Sequence, residues 1–199
     1  MKPEIFICSI KKPIDDGIFR YMLSFSDSAR QNKIAKQKIR YNADCMLAGH
    51  ILAKTAIKNV FGIPFENQHF AYTARGKPYI ENYPDVHFNI SHSGDYVVCA
   101  VHDKPVGADI QKIRGYKPRT AERVCCKPEI LQIEKSFDKA HEFTKLWTQK
   151  EAVIKMYGNS IANSDIKNCL TRNDSQVHIH TRTCGDYVLS ICTYYGGEL

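Results

Sequence analysis

The sequence predicts an α+β fold made of two similar lobes, each a long helix packed on a small, mostly antiparallel sheet. Two internal matches indicate a duplication: GDYVVCAV at 94–101 recurs as GDYVLSIC at 185–192, and AIKNVFG at 56–62 resembles AVIKMYG at 152–158. In addition, each half shows the same order of patterns, which is a strand, a long helix and a hairpin. We therefore expect an N-terminal lobe at residues 1–103 and a C-terminal lobe at residues 104–199.

Hydrophobic patterning predicts the elements of the first half. Glu4–Ile10 is predicted to be a strand, and Ala43–Phe61 a helix, because its apolar residues recur with a helical period and Gly62 then ends it. The segment TARGKPYI is rich in turn-forming residues and is predicted to be a loop. Val86–Ile90 and Tyr96–Val101 are apolar runs joined by SHSGD, which predicts a hairpin.

The second half repeats this order. Val106–Ile113 is predicted to be a strand, and an irregular basic loop follows around GYKPR. His141–Tyr157 has a strong helical pattern, and the strands Gln176–Thr181 and Tyr187–Tyr194 close the chain. Two lobes of this kind commonly hold a ligand in the cleft between them.

Composition limits the class of protein. Hydrophobic residues at 43% and charged residues at 25% are typical of a soluble globular chain, and a net charge of +7 favours anionic partners. The start of the chain has no signal-peptide core, and no apolar run approaches the ~20 residues that span a bilayer. Eight cysteines without a C-x-x-C spacing suggest reduced thiols. The sequence therefore predicts a cytoplasmic protein.

The strand VGADIQKI offers a first candidate site. Strand alternation places Gly107, Asp109 and Gln111 on one face, opposite an apolar face. A carboxylate beside an amide oxygen can form half of a site for a hard cation such as Mg²⁺. The alternative is an edge strand whose polar face is solvated, and this segment alone does not exclude it.

The helix FTKLWTQKEAVIKMYG offers a second candidate site. Trp147, Glu151 and Lys155 follow one another at i, i+4 spacing, and Glu151 lies at the margin of the apolar stripe. A carboxylate at the border of a cleft can act as a general base or a metal ligand, with Lys155 as a phosphate clamp or proton donor. The alternative is an ordinary i, i+4 helix pair.

Three further segments carry polar groups that could bind a ligand. Ser91 and His92, at the end of a strand in FNISHSGD, suit phosphate recognition, and the cations of RGKP are compatible with a phosphate or a base edge. A Ser-His nucleophile is less favoured because the G-x-S-x-G context is absent. His178 and His180 alternate on a strand and are interpreted as solvent-facing residues, because no third metal ligand lies nearby in the sequence.

Together these segments resemble the 4′-phosphopantetheinyl transferase superfamily, of the surfactin-synthetase-activating (Sfp) type. GKP, FNISHSG, GADI and W-x-x-KE-x-x-x-K occur in the order and at the separations of that family, from near Arg30 to Gly158. The resemblance implies the two-lobed fold of the family. It also implies transfer of the 4′-phosphopantetheine arm of coenzyme A to a serine of an apo acyl or peptidyl carrier protein, with Mg²⁺ and release of adenosine 3′,5′-bisphosphate.

The resemblance also implies roles for individual residues. Asp109 and Glu151 match the metal ligands, and Gln111 stands where many members have a second acidic residue. Because a neutral amide is a poorer Mg²⁺ ligand than a carboxylate, Gln111 would contact the metal directly, through a water or not at all. Glu151 would be the base and Lys155 would neutralise the pyrophosphate. The implied coenzyme A contacts are Arg30, Lys33, Gly76, Lys77, Pro78, Ser91, His92, Lys150 and Lys155.

Carrier proteins of this kind are typically acidic, so a basic surface would attract them. The basic segment Lys112–Lys127 is the candidate docking surface, with Arg114, Lys117, Arg119 and Arg123. We expect a monomer, because one chain with two lobes can form the whole cleft. Two alternatives are a coenzyme A-binding pseudo-enzyme and, on charge alone, a basic nucleic-acid-binding module that lacks the usual signatures.

Overall fold

The computed structural model describes residues 1–158, 166–170 and 175–195. The first part of the chain forms the following strands and helices: β1 (Glu4–Ser9), α1 (Asp16–Leu23), α2 (Ser28–Ala35), α3 (Arg40–Phe61), a 3₁₀ turn (Phe65–Asn67), β2 (Phe70–Tyr72), β3 (Pro78–Ile80), β4 (His87–Ser93) and β5 (Tyr96–His102). The second part forms β6 (Val106–Lys112), α4 (Pro118–Val124), α5 (Lys127–Lys135), α6 (Lys139–Met156), β7 (Val177–Cys184) and β8 (Tyr187–Tyr194).

The two larger sheets have the same topology. The first sheet has the order β1-β5-β4 and the second the order β6-β8-β7, all antiparallel, so the last strand of each hairpin lies in the centre. The long helix α3 packs on the first sheet, and α6 packs on the second. The predicted α+β class with two similar units is therefore confirmed, and both internal sequence matches fall on equivalent elements.

The β6 strand is buried on both faces, which the sequence did not reveal. Val106 and Ala108 pack in an apolar cluster with Ala100 and Ile191, so this face joins the two sheets. On the other face, a Cβ atom on Gly107 would overlap the backbone of α6 at Ala152. β6 does lie at the edge of its sheet, but its polar face is buried, so the interpretation of that face as solvated is wrong. The helix α6 can approach β6 closely because residue 107 is glycine.

The sequence missed several short elements. TARGKPYI, predicted to be a loop, is the turn region of the β2–β3 hairpin, with Gly76 at a φ of 85°. The basic segment after β6, also predicted to be irregular, contains α4, which begins at Pro118, and α5 follows it. Seven to nine residues are too few for a clear helical period, although proline at the first turn is a recognised start signal.

No helix within the described residues is long and apolar enough to cross a membrane.

Candidate active site

Asp109 lies at the centre of a polar cluster buried between β6 and α6. Its exposed fraction is only 1%. Its Oδ1 accepts hydrogen bonds from Ser91 Oγ at 2.8 Å and Lys155 Nζ at 2.6 Å, and its Oδ2 accepts one from Gln111 Nε2 at 3.2 Å. The prediction that Asp109 and Gln111 share a face of β6 is confirmed, and that face is turned toward α6.

Glu151 lies on α6 one turn before Lys155 and is also buried. Its Oε1 has no hydrogen-bond partner among the described residues. Burial raises the pKa of Glu151 to about 7, an increase that the positive charge of Lys155 opposes and the negative charge of Asp109 reinforces. A buried acceptor without a partner is rare in proteins, so Glu151 is suited to bind a proton or a cation from outside the chain.

The charges of this cluster fit a divalent cation. Two carboxylates and one ammonium leave a net negative charge in a buried site, and carboxylate oxygens are ligands that Mg²⁺ prefers. No group of three or more His, Cys, Asp or Glu side chains that could hold a metal occurs in the described ranges. Within those ranges the cluster offers two carboxylates, which suffice for Mg²⁺ where substrate phosphates supply further oxygens.

Gln111 contacts Asp109 through its amide nitrogen and not through its oxygen. Its Nε2 donates to Asp109, while its Oε1 accepts from Ser93 Oγ at 3.3 Å. In this arrangement the amide nitrogen of Gln111, and not its oxygen, lies against Asp109. The side chain of Gln111 therefore orients the carboxylate of Asp109, and its contact with a metal, direct or through a water, stays a prediction.

Ser91 and His92 are neighbours in sequence but lie on opposite faces of β4. Ser91 is buried, and its hydroxyl contacts Asp109, Lys155 and the backbone N–H of Ile110. Its contact with coenzyme A stays a prediction. His92 is exposed. Partial burial of its ring lowers the pKa of His92, with Lys155 lowering it further and Asp109 opposing the change.

The Gly76-Lys77-Pro78 segment lies beside α6. The ammonium of Lys77 donates to Met156 O at 2.7 Å and Val106 O at 3.3 Å, and burial lowers the pKa of Lys77 to about 8. Its side chain therefore holds the end of α6, and its contact with coenzyme A stays a prediction. Lys77 and Pro78 also border a cavity of about 740 Å³ that extends to Pro105.

Arg30 and Lys33 converge on one aromatic side chain of the β2–β3 hairpin. Arg30 Nη1 lies 3.4 Å from the hydroxyl of Tyr72, and Lys33 Nζ lies 5.4 Å from the centre of its ring. Arg30 Nη2 also donates to Met46 O at 2.8 Å. The structure thus places both predicted cations beside the hairpin that carries Gly76.

Lys150 does not belong to this site. Its ammonium is fully buried, pairs with Glu129 at 2.8 Å, and donates to Ile166 O and Lys167 O at 2.9 Å each. All three N–H donors are satisfied within the protein. The prediction that Lys150 contacts phosphate is therefore wrong.

A basic, partly apolar surface lies beyond Gln111. Arg114, Lys117, Arg119 and Arg123 are all exposed, as predicted. A hollow of about 160 Å³ lies between Arg114 and α6, and its lining includes Phe143 and Trp147. By contrast, His178 and His180 are exposed on β7, away from this cluster.

Sequence reasoning missed the part played by β4. Asn89, Ser91 and Ser93 are buried on the face turned toward β6, and each accepts a backbone N–H of that strand. The available signal was the N-x-S-x-S alternation along this strand, because small polar side chains at a period of two share one face.

Comparison with known proteins places these residues in a family context. Residues 12–104 match the family described as 4′-phosphopantetheinyl transferase, N-terminal, and residues 105–195 match the 4′-phosphopantetheinyl transferase superfamily. The chain is 32% identical over 161 residues to a 4′-phosphopantetheinyl transferase of Bacillus subtilis, covering 80% of this chain and 72% of that protein. It is 32% identical over 160 residues to 4′-phosphopantetheinyl transferase gsp of Aneurinibacillus migulanus, covering 79% and 67%. It is 29% identical over 161 residues to 4′-phosphopantetheinyl transferase Sfp of Bacillus subtilis strain 168, covering 80% and 72%.

Proposed function

Because the chain belongs to the 4′-phosphopantetheinyl transferase superfamily, we propose that it transfers the phosphopantetheine arm of coenzyme A to a serine of an apo carrier protein at Asp109, Glu151 and Lys155. The reaction is a phosphoryl transfer, in which a protein mainly positions groups and neutralises charge. The membership favours this enzyme over a nucleic-acid-binding module.

The observation that carries the proposal is the unpartnered Oε1 of Glu151. A base that removes a proton from a serine hydroxyl works best when its pKa lies near the working pH, and the pKa of Glu151 is raised to about 7. Glu151 would therefore accept the proton of the carrier serine at Oε1 as the serine oxygen attacks phosphorus. Lys155, one turn away, balances the negative charge that forms there.

Asp109 and Glu151 would hold the Mg²⁺ that the family resemblance implies. When bound, such an ion neutralises phosphate oxygens and so stabilises the charge of the transition state. Asp109 is fixed for this role by Ser91, Gln111 and Lys155. The partly exposed ammonium of Lys155 can also contact the pyrophosphate of coenzyme A and assist departure of adenosine 3′,5′-bisphosphate.

Coenzyme A would lie across the interface of lobes 1–103 and 104–199. Its nucleotide would contact the first lobe, where the backbone of Gly76–Pro78, the cations Arg30 and Lys33, and the exposed ring of His92 are available. Its pyrophosphate would contact Asp109, Glu151 and Lys155 of the second lobe.

The exposed basic surface around α4 supports a docking site for an acidic carrier protein. Arg114 lines the hollow that also includes Gln111, Phe143 and Trp147. Lys117, Arg119 and Arg123 are exposed on the segment that follows. Opposite charges would steer the carrier, and its serine would then reach the metal site. The seven cysteines other than Cys169 carry free thiols, which suits a reducing cytoplasm. The duplicated fold supports a monomer, which light scattering after size exclusion can test.

Mass spectrometry of a carrier protein tests the proposal directly. We expect an apo acyl or peptidyl carrier, incubated with this protein, coenzyme A and Mg²⁺, to gain the mass of one phosphopantetheine group. EDTA should prevent the gain. Binding of coenzyme A without transfer to any carrier would indicate a pseudo-enzyme, and binding of neither coenzyme A nor carrier would overturn the proposal.

Replacing Gln111 with glutamate should lower the Mg²⁺ concentration that gives half-maximal activity. The substitution removes the amide donor to Asp109 and adds a carboxylate oxygen on the same face of β6. Gln149→Glu is the matched control, because Gln149 donates to Thr181 instead. A metal dependence that does not move for Gln111→Glu would show that residue 111 points away from the ion.

Replacing His92 with alanine should weaken coenzyme A more than dephospho-coenzyme A. If His92 contacts the 3′-phosphate, its loss removes a charge-assisted hydrogen bond that only the first ligand can form, roughly a 10- to 150-fold change in affinity. Isothermal titration of both ligands measures the difference. His180→Ala, which removes another exposed histidine, should change neither affinity. Equal losses for the two ligands after His92→Ala would contradict the phosphate contact.

A further inference from the structure

Two tyrosines from distant parts of the chain hold the turn between β4 and β5. Gly94 and Asp95 form this two-residue turn, and Gly94 has a φ of 50°. The hydroxyl of Tyr41, on α3, donates to Gly94 O at 2.5 Å. The hydroxyl of Tyr187, at the start of β8, accepts from the N–H of Asp95 at 3.0 Å. We call Tyr41 and Tyr187 the turn clamp.

Both hydrogen bonds of the turn clamp are made to one peptide unit. The carbonyl of Gly94 and the N–H of Asp95 belong to the same planar amide, and they point to opposite sides of it. Contacts on opposite sides of a planar group resist its rotation. The clamp therefore fixes the orientation of the turn.

The Tyr187 side chain is itself held rigidly. It is 8% exposed, it packs with Val98 and Ile110, and its ring meets that of Tyr96 edge-on at 4.9 Å between centroids. A Cβ atom on Gly94 would overlap the Tyr187 hydroxyl oxygen. The hydroxyl can thus lie directly against the turn because residue 94 is glycine.

The internal duplication offers a comparison for this contact. Tyr96 and Tyr187 occupy the same position in the two copies of the GDY sequence. The preceding residues, Asp95 and Asp186, each accept a backbone N–H from the residue just after the first strand of their own sheet, at 2.8 and 2.7 Å. The hydroxyl of Tyr187 additionally reaches the turn of the other copy. The clamp therefore joins the two repeats, and Tyr96 is its matched control.

The clamped turn ends the strand that carries His92. This exposed residue pairs with Val97 across the hairpin, next to the turn. In a two-residue hairpin the turn sets the register of both strand ends. The residue before it, Ser91, contacts Asp109 and Lys155, so His92 lies beside the candidate site. A change in the turn would therefore move the imidazole relative to that site.

We propose that the turn clamp, and the hydroxyl of Tyr187 above all, positions His92 for a contact with the 3′-phosphate of coenzyme A. Tyr187 is then a positioning residue that acts through the turn. The inference rests on the proposed function, since it takes His92 to bind that phosphate. One hydrogen bond typically contributes an amount that corresponds to roughly 2- to 12-fold in affinity.

The test compares two ligands that differ only in the 3′-phosphate. Isothermal titration measures the affinity of the protein for coenzyme A and for dephospho-coenzyme A. We expect Tyr187→Phe, which keeps the packed ring, to bind coenzyme A roughly 2- to 12-fold more weakly and dephospho-coenzyme A as the wild type does. Tyr41→Phe should show a loss of the same kind, and Tyr96→Phe should change neither affinity.

A double-mutant cycle with His92→Ala shows whether Tyr187 acts through His92. If it does, adding Tyr187→Phe to His92→Ala should weaken coenzyme A binding no further. Equal losses for both ligands after Tyr187→Phe, no loss, or a further loss in the His92→Ala background would overturn the inference alone.

The same titrations separate this inference from the proposed function. If His92→Ala affects the two ligands equally, the phosphate contact and the inference both fail, while transfer to a carrier protein still decides the activity. Circular dichroism checks the folding of each variant, and Tyr41→Phe takes the place of Tyr187→Phe if the latter does not fold.

Discussion

Replacing Glu151 with glutamine is expected to lower kcat by at least ~10²-fold while leaving the fold intact, because general-base catalysis contributes on this scale. Glutamine has nearly the same shape, but it cannot accept the serine proton and is a poorer ligand for Mg²⁺. Transfer to a carrier protein is measured by mass spectrometry at saturating coenzyme A. Circular dichroism should match the wild type.

A matched control for this variant lies on the same helix. Glu142 lies in the first turn of α6, more than two helical turns before Glu151, and it pairs with Lys145. Glu142→Gln should therefore transfer at close to the wild-type rate. A near-normal kcat for Glu151→Gln would show that Glu151 of α6 is not the catalytic base.

Glu151→Gln should also change how the stability of the metal-free protein depends on pH. Because burial raises the pKa of Glu151 to about 7, the folded state resists ionisation of this carboxyl more than the unfolded state does. The folded state therefore holds more protons between the ordinary glutamate pKa and about 7, and its stability falls as pH rises through this window. Glu151→Gln lacks this carboxyl and should lose less stability over the same window, as thermal unfolding in EDTA can show.

Local patterns were enough to find the elements that carry the site. The strand at 106–112 and the helix at 139–156 have clear periods, and alternation along β6 correctly placed Asp109 and Gln111 on one face. The i, i+4 spacing likewise placed Glu151 and Lys155 together. These relations are fixed within one element, so the sequence of that element contains them.

Relations between elements were beyond the sequence. Lys150 adjoins Glu151 in the chain, yet successive helical residues lie about 100° apart, so Lys150 faces Glu129 of α5 instead of the metal site. The hydroxyl of Ser91 likewise forms hydrogen bonds with Asp109 and Ile110 because β6 packs beside β4. Which groups satisfy a buried donor or acceptor depends on tertiary packing, and no local period contains that information.

Gly107 lets β6 pack closely on α6, and this packing determines the distance between the site residues of the two elements. A Cβ at this position would overlap Ala152 O and Met156 N, both backbone atoms of α6. No side-chain rotation can relieve such a contact, so β6 and α6 must move apart. That movement would also separate Asp109 on β6 from Lys155 on α6, whose charged groups are 2.6 Å apart.

We therefore expect Gly107→Ala to destabilise the protein by about 3 kcal/mol, the upper part of the usual range for overpacking. For a chain of this size, such a loss lowers Tm by roughly 6–12 °C. The matched control is Gly115→Ala, since a Cβ on Gly115 would meet nothing within 4 Å, and its Tm should hardly change. Where Gly107→Ala remains folded, its kcat should fall as well, because the strand that holds Asp109 no longer sits against the helix that holds Glu151. A Gly107→Ala protein with wild-type Tm and kcat would show that α6 does not pack on β6 as closely as described.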